Sequence, residues 1–502
     1  VLFAELAIVS QRLAATPKRS EKTALLADLL RHLSPSEITA AVGFLTGTPR
    51  QGRIGVGWAT LSDVRVAPAA SPRWSIGDVD EAVDRLAAIG GSGVVAARRE
   101  LLAGLLADMT PAEQELFVRV IGGELRHGAL DGVMTDAVAK ASGVPVAAVR
   151  RGAMLSGDLA AAAHAALTGG NDAVAAIGLT PLHPVLPMLA ATSAGVAEAL
   201  AGTGVASVEW KLDGARIQAH RRAGEVRLFT RNLNDVSDRL GGVVDVVAAL
   251  PGGDLVLDGE VLGLDADGAP RRFQDTMGDF GADAPGRGAG LTPFFFDVLH
   301  VGGSSVVDEP LAMRRELLVA TVPATARLPS IVTADAAEAE AFLDRAVAAG
   351  HEGVMVKSID SPYDAGRRGG AWRKVKPVHT LDLVVIAVEW GHGRRSGWLS
   401  NLHLSALGAD GAFVMVGKTF KGLTDELLRW QTAELQARAI ATDGHVVHVR
   451  PELVVEIALD GVQVSSRYPG GVALRFARVR RYRLDKAPHE ADTIERVRSL
   501  LR

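Results

Sequence analysis

The stretch Val208 to Arg216, VEWKLDGAR, places a lysine where an amine has the means to act as a nucleophile. Val208 and Trp210 alternate with Glu209 and Lys211 as on a half-buried strand. Asp213-Gly214 then offers a tight turn before Ala-Arg-Ile-Gln-Ala-His resumes the alternation. The pattern predicts a hairpin with Lys211 at its lip. Near its reference pKa of about 10.4 the amine is a poor nucleophile at neutral pH, and desolvation or neighbouring cations would bring it into range. Taken alone, Lys-x-Asp-Gly is short enough to be an ordinary solvated turn, so the rest of the chain must supply the context.

Five further segments bear on Lys211. Asp258-Gly259-Glu260 ends an apolar strand, presenting a carboxylate that suits a cation or a ribose hydroxyl. Glu352 precedes Gly353-Val354-Met355-Val356-Lys357, a second buried strand flanked by an acid and a base. Phe294-Phe295-Phe296-Asp297 concentrates rings in a chain with 5% aromatics; one ring suits stacking on a base, and the other two suit the core. Trp372 to Lys376 alternates, so Lys374 and Lys376 share a strand face. Two ammonium groups there either repel at some cost or hold phosphate, and they also have the means to lower the pKa of Lys211. Last, Leu474 to Lys486 (LRFARVRRYRLDK) carries Arg475, Arg478, Arg480, Arg481, Arg483 and Lys486, a run that reads as a solvated face or as a phosphate-binding one.

At 502 residues the chain exceeds what one core supports, and several domains are expected. A hydrophobic content of 48% with 22% charged residues fits a folded protein, and no apolar run is long enough to span a bilayer. The start, interrupted by Glu5, does not resemble a secretory signal, so a cytoplasmic location is expected. Zero cysteines exclude disulfides, thiolate zinc sites and cysteine nucleophiles, leaving oxygen ligands for a hard cation. A net charge of −4 argues against a surface that is basic throughout, and leaves room for local basic patches. Ten of the 54 basic residues are lysines, and seven of those lie at or beyond Lys211, which places the chemistry in the same part of the chain.

Residues 1–183 are rich in Ala and Leu at helical spacing, as in Lys22 to Leu33 and Asp80 to Leu106, and predict an all-α domain. Within it, Gly52 to Gly57 is a glycine-rich turn. Arg126 and His127 stand just ahead of a helix whose apolar face includes Leu130, Val133 and Ala137, a place for phosphate contacts without base reading. Pro181, Pro184 and Pro187 mark a stiff connection. Residues 184–379 alternate short strands with helical pieces, an α+β domain with a loop over Gly281 to Gly290. Residues 380–502 read as five short strands and one amphipathic helix, Thr424 to Arg438, a small β-barrel of the OB type.

The ordered set KLDGAR, LDGE, FFFD, EGVMVK, WRKVKP and RFARVRRYRLDK resembles the six collinear motifs of the covalent nucleotidyltransferases, and most closely those of ATP-dependent DNA ligases. PVLPMLA at Pro184 resembles the lead-in to a ligase catalytic domain. RVIGGELRHGAL resembles part of the N-terminal DNA-binding domain of larger ligases, as in actinobacterial proteins. The resemblance implies a monomer acting on nicked duplex DNA at the nucleoid, with ATP and Mg²⁺, through AMP carried on Lys211. It also implies that Glu209 reads adenine, that Phe296 stacks on it, and that Arg216, Arg231 and Arg367 contact the nucleotide. Glu260 and Glu352 would hold Mg²⁺ or ribose, and Lys374 and Lys376 the α-phosphate. Arg475, Arg478, Arg480, Arg483, Asp485 and Lys486 would orient pyrophosphate, and Arg53, Arg126 and His127 would meet DNA. An RNA ligase, a capping-type guanylyltransferase and a noncatalytic DNA-binding protein are the alternatives. The absence of cysteine disfavours the NAD-dependent ligases with their zinc module.

Overall fold

The computed structural model describes the chain except for residues 53, 92, 126, 129, 130, 272–274, 277, 279, 281–289, 365–367, 378 and 502, and the side chains of 58, 59, 62 and 368. Arg53, Arg126, Leu130, Arg367 and nearly all of the expected loop at 281–290 therefore lie outside the described residues.

The first part of the chain is helical because its polar caps and apolar stripes agree. Ser34 with Glu37 and Thr110 with Glu113 form capping boxes with proline in the first turn, and Gly47 closes a helix in the left-handed region. Phe3, Leu6, Leu26, Phe44, Val83, Phe117 and Met134 meet in one core that runs on to Val174. The helical spacing over Asp80 to Leu106 is carried by two helices, Ile76–Ala88 and Val94–Ala107. Gly91 and Gly93 take positive φ between them, and an interior helix does not propagate through that conformation. His127 is 3% exposed, and burial beside Lys22 lowers its pKa to about 4. A buried, neutral ring is not a phosphate contact, so this expectation is corrected.

From Leu189 onward the described strands are β1 (Leu189–Thr192), β2 (Ala206–Lys211), β3 (Ala215–Arg222), β4 (Glu225–Thr230), β5 (Leu255–Gly263), β6 (Leu291–Val301), β7 (Ser304–Ser305), β8 (Ser330–Thr333), β9 (Gly353–Ser358) and β10 (Arg368–Val375). They form two sheets, ordered β1-β10-β9-β2-β8 and β4-β3-β5-β6-β7. All pairs are antiparallel except β1 with β10. The expected hairpin at Lys211 is absent: β2 and β3 belong to different sheets. Lys211 registers with Gly353 on β9, whereas Ala215 registers with Val261 on β5. The turn between them is a crossing from one sheet to the other. It is pinned where Gly214 N donates to Glu260 Oε1 at 2.7 Å.

Each sheet covers its outer face with helices. Val208, Val354 and Val356 pack on Val196, Ala199, Phe342 and Ala346, and Leu257, Phe295 and Val298 pack on Val243, Val247 and Leu318. Between the sheets lies a mixed layer that includes Met188, Val256, Tyr363 and Trp372.

The rest of the chain is β-rich: β11 (His379–Trp390), β12 (Leu399–Leu407), β13 (Phe413–Thr419), β14 (Ala439–Asp443), β15 (Val446–Val449), β16 (Val454–Leu459), β17 (Gly461–Val464), β18 (Val472–Arg475) and β19 (Arg478–Tyr482). Seven of them form one sheet, with β16 joining β11 to β19, and β17-β18 stands as a separate hairpin. The helix Asp425–Ala437, capped by Thr424, lies against this core. The final basic segment occupies β18 and β19, where alternation sends Val479 inward and Arg478 and Arg480 outward.

Candidate active site

A cavity of about 380 Å³ opens between the two sheets. Lys211, Glu209, Arg216, Arg231, Glu260, Phe296, Lys357, Trp372, Lys374 and Lys376 are among its lining residues. Lys211 reaches it from the end of β2, and Lys374 and Lys376 from the end of β10. Phe296 points in from β6 while its neighbour Phe295 is fully buried in the outer core. That division follows from the two-residue period of a strand.

At one end, Glu352 accepts from Lys211 Nζ and from Lys376 Nζ, the latter at 2.7 Å. One carboxylate thus serves two ammonium groups. Burial pushes the Glu352 carboxyl up, but Lys211 and Lys376 outweigh it and hold its pKa at about 2. Burial alone would lower the pKa of Lys211; Glu352, Glu260 and Asp213 more than offset it, and the amine stays above the ordinary lysine value. The expectation that Lys374 and Lys376 depress the pKa of Lys211 is corrected on this point: three acids surround the amine. Unlike Glu352, Glu260 is pushed up, since burial raises its pKa against the pull of Lys211, the Gly214 N–H and Arg216.

At the other end, Arg216 is fixed by Asp258 in a bidentate pair, Nε to Oδ1 at 3.0 Å and Nη2 to Oδ2 at 2.6 Å, and donates to Met188 O at 2.7 Å. Tyr363 O–H completes the group with a 2.7 Å bond to Asp258 Oδ2. Lys357 Nζ lies 2.6 Å from Glu209 Oε2 and 4.2 and 4.1 Å from the ring centroids of Phe296 and Trp372. The cavity therefore has an aromatic, hydrogen-bonding end suited to a planar base and a cationic end suited to phosphate.

The β-rich region closes over the cationic end. Arg475 Nη1 donates to Asp213 Oδ2 at 2.9 Å, and Asp460 lies 3.7 Å from Lys376 and 3.3 Å from Arg478.

Residues 187–376 match the family model described as ATP dependent DNA ligase domain; 395–486 match ATP dependent DNA ligase C terminal region, and 59–139 match DNA ligase N terminus. A Pseudarthrobacter chlorophenolicus protein named Probable DNA ligase is 55% identical, with 100% of both chains covered. The chain belongs to the ATP-dependent DNA ligases. A Saccharopolyspora erythraea protein of the same name is 54% identical over 100% of this ligase chain and 98% of its own. The solved structure named Pmar-Lig_PreS3 shares the fold at a TM-score of 0.63 and 19% identity, covering 95% of this chain and 99% of its own.

Within the ligase, the cavity gathers Glu209, Lys211, Arg216, Arg231, Glu260, Phe296, Lys374 and Lys376, with Glu352 bonded to two of the lysines. Of the final basic segment, Arg475 and Arg478 alone among the named residues approach it, through Asp213 and Asp460. Arg480 lies against Glu456, and Arg483 and Lys486 both bind Asp382, with Asp485 on Arg483. Sequence reasoning passed over Lys357, Asp258, Trp372 and Tyr363 as site residues. Lys357 had a signal: it shares the Gly353, Met355 face of β9, so a lysine there points inward.

Proposed function

We propose that this chain seals nicks in duplex DNA as a monomer. Lys211 Nζ attacks the α-phosphorus of ATP, the bond to pyrophosphate breaks, the amine loses its proton, and AMP stays on the lysine. An oxygen of a DNA 5′-phosphate then attacks that phosphorus and the P–N bond breaks, with Lys211 regaining a proton. The 3′-hydroxyl attacks the activated 5′-phosphorus, loses its proton, and AMP leaves. The observation that carries this reading is a cavity with a lysine nucleophile and two further lysines at one end, and an aromatic, Glu209-lined end to take adenine.

In this reading Phe296 supplies a face for the base. Glu209 reads its edge while Lys357 holds Glu209 in place. Arg216, pre-set by Asp258, and Arg231 meet the ribose and phosphate side, and Lys374 and Lys376 stabilise charge on the α-phosphate in flight. In this reading Arg475, paired with Asp213 beside Lys211, orients pyrophosphate.

Among the described residues no three His, Asp or Glu side chains form a metal cage. Glu260 and Glu352 face Lys211 as two acids, a donor set that suits Mg²⁺, which takes one or two carboxylates together with nucleotide phosphates. Bound there, Mg²⁺ would polarise the phosphate and lower the pKa of the amine.

Intact-mass spectrometry tests the reading. The protein, first cleared with pyrophosphate, is incubated with Mg²⁺ and ATP, GTP or NAD⁺, beside Lys211→Ala. The expected result is a gain of one AMP from ATP alone and only with Lys211 present, followed by sealing of a nicked duplex. A gain from GTP would move the chain to capping chemistry, and no gain at all would leave a DNA-binding protein.

A further inference from the structure

Residues 182–188, between the helical part and β1, form a strap laid along β3. Leu182 takes a left-handed φ of 72°. The strap is held by side chains at 216, 218 and 220, which alternation puts on one face of β3. Gln218 Nε2 donates to Val185 O at 2.5 Å, and Val185 N donates to Gln218 Oε1 at 3.0 Å. His220 Nδ1 accepts from Leu182 N at 3.1 Å, and its Nε2 lies 3.3 Å from Gln218 Oε1. Burial, next to His183 and His300, lowers the His220 pKa to about 3, so the ring is the neutral acceptor this geometry requires. Arg216 Nη1 donates to Met188 O at 2.7 Å, and the Tyr363 hydroxyl oxygen accepts from Met188 N at 3.1 Å.

The opposite side of the strap belongs to the helical part. Leu186 N donates to Met154 O at 3.0 Å, and a Cβ on Gly157 would lie 2.4 Å from Pro184 O. The strap leads through Met188 into β1, and Met188, Leu189 and Ala190 are among the residues that line the nucleotide cavity. Gln218 is 2% exposed and uses both ends of its amide. A carboxylate would set a lone pair against Val185 O, and an aliphatic chain would leave both Val185 groups unpaired.

We propose that Gln218 is a positioning residue for self-adenylation: by clamping both backbone groups of Val185 it sets where Met188 to Ala190 wall the nucleotide. The inference rests on the ligase reading of the cavity. Gln218 touches no nucleotide and acts through the strap.

The test is self-adenylation of the full chain, measured as KM for ATP and kcat, for wild type, Gln218→Leu and Gln218→Glu. Loss of the two bonds in Gln218→Leu is expected to raise KM about tenfold with kcat within about twofold. Gln218→Glu should show the same defect at about pH 8 and approach the wild-type KM toward about pH 6, because burial raises a carboxyl pKa and the protonated acid regains the donor. Wild type run over the same range removes the contribution of His183, His220 and His300, and of Arg216 and Asp258 nearby. Variants of lowered Tm but wild-type KM would overturn the proposal, as would a Gln218→Glu profile parallel to wild type. If Gln218→Leu does not fold, the pH profile of Gln218→Glu decides alone. A wild type that takes no AMP from ATP fails the ligase reading instead, before any variant is compared.

Discussion

Two ion clusters in the middle of the chain use the same chemistry to opposite ends. Arg314 and Asp297 are both fully buried and meet in a bidentate pair at 2.8 and 3.0 Å; Arg314 also donates to Glu309 O and Ser361 O. Charge and hydrogen bonds are balanced there, and nothing remains to bind. At the cavity, Glu352 is shared by Lys211 and Lys376, whose side chains are 22% and 21% exposed. Glu260 and Asp213 also act on Lys211, but its amine and those of Lys374 and Lys376 line the open cavity instead of being sealed in a closed pair. A closed buried pair fixes structure, whereas a partly exposed cluster keeps ammonium groups within reach of an incoming phosphate.

Four substitutions test that contrast. The largest effect is expected from Lys211→Ala, which should abolish the AMP adduct and nick sealing while leaving the thermal unfolding transition in place; sealing by this variant would refute the role of the lysine. Next, Arg314→Met leaves Asp297 buried without a partner and should cost about 3–5 kcal/mol in urea unfolding, with the KM for ATP little changed. A loss of less than about 1 kcal/mol would place that pair with ordinary surface bridges.

Third, Glu352→Gln should lower the adenylation plateau about a hundredfold. It should also shift the pH profile. Glu352 raises the Lys211 pKa, so removing its charge lowers that pKa, and the rate should begin to rise at lower pH than in wild type. In the native protein the Glu352 pKa falls from 4.5 to about 2. Its contribution to stability is therefore complete above about pH 4.5 and lost as pH falls toward 2, a segment of the acid-unfolding curve that Glu352→Gln should lack. The smallest effect belongs to Arg475→Ala, which removes a half-exposed contact between the β-rich region and Asp213. Adenylation should fall about tenfold, and sealing of a pre-adenylated nick should fall less. Equal losses in both steps would assign Arg475 to DNA rather than to pyrophosphate.

The elements were legible where local pattern decides them. Alternation located β2 and β3, an apolar run located β5, and amphipathic spacing located the helix that follows Thr424, whereas which of the three adjacent phenylalanines faces inward was not legible from the strand alone. What the sequence hid depends on partners far along the chain. Asp213-Gly214 is a turn in either reading, and only the pairing of Lys211 with Gly353 makes it a crossing between sheets. The basic run at 474–486 looked like one surface, but Asp382, more than ninety residues earlier on β11, takes Arg483 and Lys486 away from it. Nor does spacing reveal that three acids around Lys211 outweigh the nearby lysines, because that balance depends on distances rather than on order.

Gly353, opposite Lys211, has a φ of 143°, and a Cβ there would meet Val375 O at 2.3 Å; a Cβ on Gly214 would meet Val261 O at the same distance. The nucleophile is thus flanked by main chain on both sides. A carbonyl is the same in every residue type, so the two walls beside the lysine are set by the path of the chain, and any side chain placed at either glycine would have to push that path aside.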